Sequence, residues 1–232
     1  MNKPITIISL GGSLLVTKSG IATSYITAFV RWAKTLARTR RLVIFVGGGA
    51  TARLYIQAAR TIHHQLSVAN QDWIGISASR LNAELLLRSF GGKAYPNIIT
   101  DPRWQVTGAQ SLYIGAGWKP GRSTDYDAVM LASYNAVPQV INLSNIDYVY
   151  DRDPQRYRQA QPLQRVSWVQ FQTIVGKTWL PGLNMPFDPI AAKLAKQKNI
   201  SVAIAHGKNL GNVSRLLAGQ SFRGTLIHNS SS

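Results

Sequence analysis

Residues 42–49, LVIFVGGG, and residues 4–12, PITIISLGG, are apolar runs rich in branched side chains, and each stops at consecutive glycines. Runs of this length without polar alternation read as strands buried on both faces of a parallel sheet. Between them Ile26, Phe29, Val30, Ala33 and Leu36 recur at helical spacing, while Arg31, Lys34 and Arg38 fall largely on the other face. The unit is therefore strand, glycine loop, helix, strand.

The same alternation continues outward. Helices are expected over 50–64, 76–90 and 124–135, and short apolar strands over 111–116 and 138–143. Beyond residue 150 the pattern predicts helices at 167–176, 188–198 and 209–218, with strands at 200–205 and 224–228. Strands alternating with helices imply an α/β fold, a three-layer αβα sandwich around a mainly parallel central sheet. No low-complexity linker divides the chain, so residues 1–228 read as one domain and 229–232 as a frayed tail.

The 232 residues, 45% of them hydrophobic, suffice to bury roughly 70% of the unfolded chain's surface. With no cysteine, disulfides and thiolate metal sites are excluded. His63, His64, His206 and His228 lack metal-ligand spacing, so no protein-held metal site is expected. The apolar N-terminal run is broken by Gly11 and Gly12, unlike a secretory signal, and no stretch nears the length of a membrane span; the expectation is a cytoplasmic protein. The formal charge of +17, from 26 Lys and Arg against 9 Asp and Glu, predicts attraction to polyanions. The cations are dispersed without an aromatic-interleaved motif, so a nucleic-acid partner is possible on charge alone.

Three strand-end loops are glycine-rich: Gly11-Gly12-Ser13, Gly47-Gly48-Gly49, and the run from Gly115 to Asp125, GAGWKPGRSTD. Glycine lets backbone N–H groups approach a phosphate, and a helix start adds about half a positive charge. One such loop is an ordinary turn; three at one sheet edge make a polyphosphate cradle. Neither GxxxxGK[ST] nor GxGxxG occurs at these strand ends, which leaves a Walker-type site and a dinucleotide fingerprint without support.

The stretches ISLGGSLL, FVGGGATAR, DWIGISASRLNAELL, GWKPGRSTDYDAVMLA, INLSNIDYVYDRDP, DPIAAKLAKQKNISVAIAHGKN and GTLI resemble, in family order, the UMP kinase branch of the amino-acid-kinase superfamily, and are most similar to its archaeal-type members. The resemblance implies ATP and UMP as substrates, with Mg²⁺ bound through the ATP phosphates. It assigns the ATP phosphates to Gly11, Gly12, Ser13, Gly49 and Arg53. A guanidinium fork at Arg53 suits transferring phosphoryl oxygens; the lesser alternative is a solvated helix arginine.

On the acceptor side the resemblance implies Gly48, Asp72 and the run Gly117, Trp118, Lys119, Pro120, Gly121, Arg122, Ser123 and Thr124. A carboxylate suits a ribose diol, yet Asp72 also reads as the N-cap of the 76–90 helix, and Thr124-Asp125 as a cap of the next one. The adenine side falls to Ser144, Asn145, Tyr150 and Asp153. Asp147, Asp151 and Asp153 are three of only nine acids, and a plain surface hairpin would also explain them. Lys208 either contacts phosphate or closes its loop, and His206 reads as structural.

Several positions depart from the wider family. Ser9 stands where many bacterial relatives carry lysine, and Asp188 lies near a second lysine of acyl-phosphate-forming relatives, which argues against an amino-acid substrate. Tyr148 replaces a turn glycine, leaving ATP and GTP open as donor. Val46 precedes the glycines where isopentenyl phosphate kinases have histidine. No general base is visible; an anionic phosphate acceptor needs none, so Arg53, with Asn145 as an orienting group, is expected to carry catalysis. The alternatives are another phosphate-monoester kinase, isopentenyl phosphate kinase-like, or a non-catalytic nucleotide- or nucleic-acid-binding regulator. Family resemblance further implies a homo-hexamer, a trimer of dimers, through the apolar LNAELLL face of the 76–90 helix.

Overall fold

In the computed structural model, which describes residues 3–175 and 185–229, β1 (Ile5–Leu10) is an interior strand of a seven-stranded sheet. Its neighbours are β4 (Arg41–Val46) on one side and β6 (Gln139–Ser144) on the other; β5 (Leu112–Gly115) flanks β4, and β10 (Ser201–His206) flanks β6. These five strands are mutually parallel. Then β11 (Thr225–His228) runs antiparallel to β10 and is followed by the edge strand β9 (Arg165–Ser167), parallel to β11.

Both faces of the sheet are covered. Along β4, Val43 and Phe45 enter one core cluster while Leu42, Ile44 and Val46 enter the other, the two-residue alternation of a strand. The first cluster is closed by α5 (Thr124–Tyr134), α6 (Trp168–Val175) and α7 (Pro189–Gln197), with Trp168 and Phe171 among its largest side chains. The second is closed by α1 (Gly12–Leu15), α2 (Thr23–Leu36), α4 (Val68–Ser89) and α8 (Leu210–Leu217). Each large side chain so enclosed contributes about 1.5–3 kcal/mol. The three-layer αβα sandwich with a mainly parallel sheet is confirmed.

α3 (Gly49–Ile62) buries only Ile56 and packs on α4 rather than on the sheet. Two small hairpins complete the described chain: β2 (Val16–Thr17) with β3 (Gly20–Ile21), and β7 (Val149–Tyr150) with β8 (Pro162–Leu163). The β2–β3 hairpin and β9 do not follow from the sequence pattern, because strands of two or three residues are too short to show a period; the β7–β8 hairpin falls where the acidic stretch reads as a surface hairpin.

One helix start and one helix cap differ from expectation. α4 begins at Val68, two turns before the predicted residue 76, with Ser67 accepting a hydrogen bond from Asn70 N as its cap. Asp72 therefore lies inside the helix and is not its N-cap. α5 is capped by Ser123, whose Oγ accepts from Tyr126 N at 3.2 Å, rather than by Thr124 or Asp125. The far end of the helix expected over 167–176 and the tail from Ser230 lie outside the described residues. Asn229, also read as frayed, donates to Asn199 Oδ1 at 2.7 Å.

Candidate active site

The turns after β1 and β4 interlock. Gly47 N donates to Leu10 O at 3.0 Å and Gly11 N to Leu143 O at 2.8 Å, which threads the first turn between the ends of β4 and β6. A methyl group on Gly12 would lie 2.2 Å from Gly47 O and 2.3 Å from Gly49 N. Gly49 has φ +62°, and its own Cβ would meet Gly12 O at 2.4 Å. Glycine at both positions is the condition for this contact.

The second turn runs directly into α3. Its N-cap, Gly48, offers no side-chain hydrogen bond, so first-turn N–H groups are left for an anion at the positive end of a 14-residue helix. Two buried side chains of α4 fix this turn from behind. Asn82 Nδ2 donates to Gly47 O at 2.9 Å and Gly48 O at 3.0 Å. Ser79 Oγ donates to Val46 O at 2.7 Å and accepts from Gly117 N at 2.9 Å, joining the end of β4 to the loop after β5.

A cavity of about 500 Å³ opens at this edge. Its lining includes Ser13, Gly48, Gly49, Arg53, Asp72, Gly117, Arg122, Ser123, Thr124 and Asn145. The structure thus gathers at one concavity residues that lie up to 132 positions apart, from Ser13 to Asn145. Arg53 is exposed on the first turns of α3. Asp72 is buried, and its Oδ2 accepts from Gly121 N at 2.7 Å, where Gly121 turns the loop with φ +76°.

Other expected residues stand at the same edge without lining the cavity. Trp118 N donates to Asp127 Oδ2 at 3.1 Å, and the Trp118 ring is covered by Lys119 Nζ at 3.9 Å. Arg80 holds the Gly117 and Trp118 carbonyls, both at 3.3 Å. Pro120 and Gly121 complete this loop. Ser144 ends β6 opposite His206 of β10, and Gly207 N donates to Ser144 O at 2.8 Å. The exposed Lys208 uses its backbone N–H to close the turn onto His206 Nδ1 at 3.2 Å, consistent with a structural His206.

The acidic hairpin behaves as a surface hairpin. Asp147, Asp151 and Asp153 pair with Arg223, Arg152 and Arg156 at 3.0, 3.1 and 3.5 Å. Tyr150 pairs with Pro162 across β7 and β8. Tyr148 does not take the positive φ of the glycine it replaces: among described residues other than glycine only Ala136 and Asn199 do.

Beneath the cavity floor Asp125, Asp127 and Asp188 converge. Asp125 Oδ1 accepts from Ser9 Oγ at 2.6 Å and from Asn142 Nδ2 at 2.8 Å, so the Ser9 hydroxyl is spent on this carboxyl. Burial pushes the Asp125 carboxyl up to about 6, and the Asp188 charge adds to the rise against the lowering hydrogen bond from Ser9. Asp188 caps α7 through Ile190 N at 2.8 Å, accepts from Ser123 Oγ at 2.5 Å, and is likewise raised by burial. Burial raises Asp127 well above the usual carboxylate range, and its Oδ1 has no partner.

Sequence reasoning missed Lys18, Gly75 and Ser79, all of which line the cavity. The helical period of α4 through DWIGISAS places Asp72, Gly75, Ile76 and Ser79 on one face, a signal available had the helix been started earlier. Of the LNAELLL stretch expected at an oligomer face, Ala83, Leu86 and Leu87 are buried in the chain's own core while Leu81 is exposed. Further exposed apolar side chains lie at Trp73 of α4 and on α3 (Leu54, Tyr55 and Ile62).

Residues 4–206 match the amino acid kinase family. The uridylate kinase of Hyperthermus butylicus is 36% identical over 192 residues, covering 81% of this chain and 82% of that one. The uridylate kinase of Staphylothermus marinus is 32% identical over 227 residues, covering 96% and 97%. Among solved structures, the uridylate kinase of Archaeoglobus fulgidus superposes with a TM-score of 0.81 at 30% identity, covering 97% of this chain and 99% of that one. With the interlocked glycine turns and the shared cavity they flank, these likenesses establish that the chain belongs to the amino acid kinase family, in its archaeal uridylate kinase branch.

Proposed function

We propose that this chain is a UMP kinase, a phosphotransferase that moves the γ-phosphoryl of ATP onto the phosphate of UMP, giving UDP and ADP for pyrimidine nucleotide synthesis in the cytoplasm. The observation that carries the reading is one cavity of about 500 Å³ with the uncapped start of α3 and Arg53 on its donor side and Asp72 with the Gly117–Thr124 loop on its acceptor side. Backbone N–H groups at Gly12 and Gly49, the Ser13 hydroxyl and Arg53 would hold the ATP phosphates, with Gly11, whose own N–H is given to Leu143 O, shaping the turn beside them, and Ser144, Asn145, Tyr150, Asp153 and Lys208 would hold its nucleoside end. Gly48, Asp72 and the loop from Gly117 to Thr124 would hold UMP.

The acceptor is an oxyanion, so no side chain must take a proton. A UMP phosphate oxygen forms a bond to Pγ as the Pγ–O bond to the β-phosphate breaks and ADP leaves with the electron pair. The protein's work is alignment and charge stabilisation, which falls to Arg53 and the loop amides. Mg²⁺ neutralises phosphate charge in such transfers. Among the described residues no group of three His, Cys, Asp or Glu is placed to hold a metal, and one oxygen of Asp72 in the lining is taken by Gly121. The lining fits a Mg²⁺ that arrives on ATP, with the hydroxyls of Ser13 and Thr124 as neutral oxygen donors.

The exposed apolar side chains of α3 and α4 support a homo-oligomer, here a hexamer built from dimers; light scattering of the native chain and of Ile62→Asp tests it. No helix among the described residues is long and apolar enough to cross a membrane. An ADP-release assay over UMP, CMP, AMP and isopentenyl phosphate decides the acceptor. Turnover dependent on UMP, ATP and Mg²⁺ is expected; turnover of another monoester instead, or tight nucleic-acid binding without turnover, overturns the reading.

A further inference from the structure

The cavity is lined by three cationic side chains, Lys18, Arg53 and Arg122. Arg122 is partly committed: it donates to Gly121 O at 2.8 Å and its guanidinium lies 4.6 Å from the centre of the Tyr126 ring, while its buried Nε has no partner. Among the described residues Lys18 and Arg53 have no hydrogen-bond or ion-pair partner. Two lining cations are thus left uncommitted beside a helix start suited to phosphate.

Lys18 is not a loose surface lysine. Val16 pairs with Ile21 and Thr17 with Gly20, so Lys18 and Ser19 form the two-residue loop between β2 and β3. Thr17 Oγ1 accepts from Ser19 N and donates to Gly20 O, each at 3.1 Å, and Gly20 takes φ +113° to close the turn. The hairpin follows directly from α1, which bears Ser13, and packs against α3, which bears Arg53. The turn is fixed on the donor side while the ammonium stays free. Meanwhile Ser9, at the end of β1, places a neutral hydroxyl there and spends it on Asp125, so the strand end supplies no cation.

We propose that Lys18 is a second catalytic cation, contacting the phosphoryl group in flight alongside Arg53. This rests on the reading of the chain as a UMP kinase. Charge spreads over the equatorial phosphoryl oxygens and the departing β-phosphate as transfer proceeds, and an ammonium with three rotatable donors meets it without giving up a proton. The bond changes are those of the transfer itself; Lys18 stays protonated throughout.

The chain's lack of cysteine permits a chemical test. Steady-state UMP phosphorylation is measured on the full native chain, Lys18→Met, Lys18→Arg, and Lys18→Cys before and after alkylation with 2-bromoethylamine. In the last, the thiolate displaces bromide and an aminoethyl thioether restores the ammonium at position 18. Lys18→Met and unmodified Lys18→Cys are expected to lose about 100-fold in kcat, with KM changed less than about three-fold and Tm unchanged, since the side chain is exposed. Lys18→Arg keeps part of the rate, and alkylation returns at least about ten-fold. An unchanged kcat in Lys18→Met, a loss confined to KM, or a loss that alkylation does not repair overturns the role while leaving the UMP kinase reading intact. A native chain without UMP turnover removes that reading, and the proposal with it.

Discussion

The Asp72 carboxylate accepts a 2.7 Å hydrogen bond from the backbone N–H of Gly121, tying the second turn of α4 to the loop between Gly117 and Thr124, 49 residues away. One carboxylate oxygen is used in the tether. The other has no such bond, and under the proposed function it would accept from a ribose hydroxyl, so that one side chain would both shape the loop and read the substrate.

Asp72→Ala is expected to raise the KM for UMP by about 10-fold or more, since a hydrogen bond to a charged group contributes about 1.5–3 kcal/mol. ATP binding, on the other side of the cavity, is expected to stay within about two-fold. Isothermal titration with each nucleotide separates the two sides; equal losses for both would show that Asp72 acts only as a general structural tie.

Ser79 joins two backbone segments that β-pairing alone does not join at this point, Val46 O and Gly117 N. Ser79→Ala leaves a buried amide and a buried carbonyl without this partner, at a cost of about 1–3 kcal/mol. Chemical denaturation is expected to show a reduced midpoint with an unchanged slope. A midpoint equal to that of the native chain would mean that water or a loop shift replaces the hydroxyl.

How much of this was legible follows from how local each signal is. The strands and glycine turns were readable because a β-branched run ending in glycine is contained within about ten residues. The entry of α4 was not, because Gly75 lowers helix propensity in the middle of it and Ser67, its cap, follows a histidine pair with no apolar period. The alternative of Asp72 as a helix cap therefore fails, while the structure does place Asp72 in the cavity lining. The antiparallel β11, the carboxyl cluster of Asp125, Asp127 and Asp188, and the delivery of Lys18 by a two-residue turn depend on contacts between distant segments, which no window of sequence contains.

Gly75 itself separates stability from function. It lies within α4 and lines the cavity, and a Cβ there would meet nothing nearer than Ile56 Cδ1 at 4.0 Å. Alanine is better than glycine in a helix interior by about 0.5–1 kcal/mol, so Gly75→Ala is expected to raise Tm by about 2 °C. The same methyl group narrows the cavity beside Asp72, and the KM for UMP is expected to rise. Differential scanning calorimetry and initial rates on one preparation check both signs; a lower Tm would place the helix under strain that its geometry does not show.

The Asp125 carboxyl gives stability a pH dependence of defined sign. Its folded value, pushed up to about 6 by burial, lies above the ordinary 3.8, so the folded chain holds a proton that the unfolded chain has released. The stabilisation is complete below 3.8 and is lost as pH rises through about 6. Asp127 and Asp188, raised for the same first reason, act in the same direction. Asp125→Asn keeps the shape but cannot ionise. Relative to the native chain it is expected to gain on the order of 3 kcal/mol between pH 4 and pH 7, from a shift of about two units. Urea unfolding of both proteins across that range, at constant ionic strength to hold the effect of the +17 charge fixed, reads the difference directly. Parallel stability curves would show that the carboxyl ionises alike in both states, and that Ser9 and Asn142 fully offset its burial.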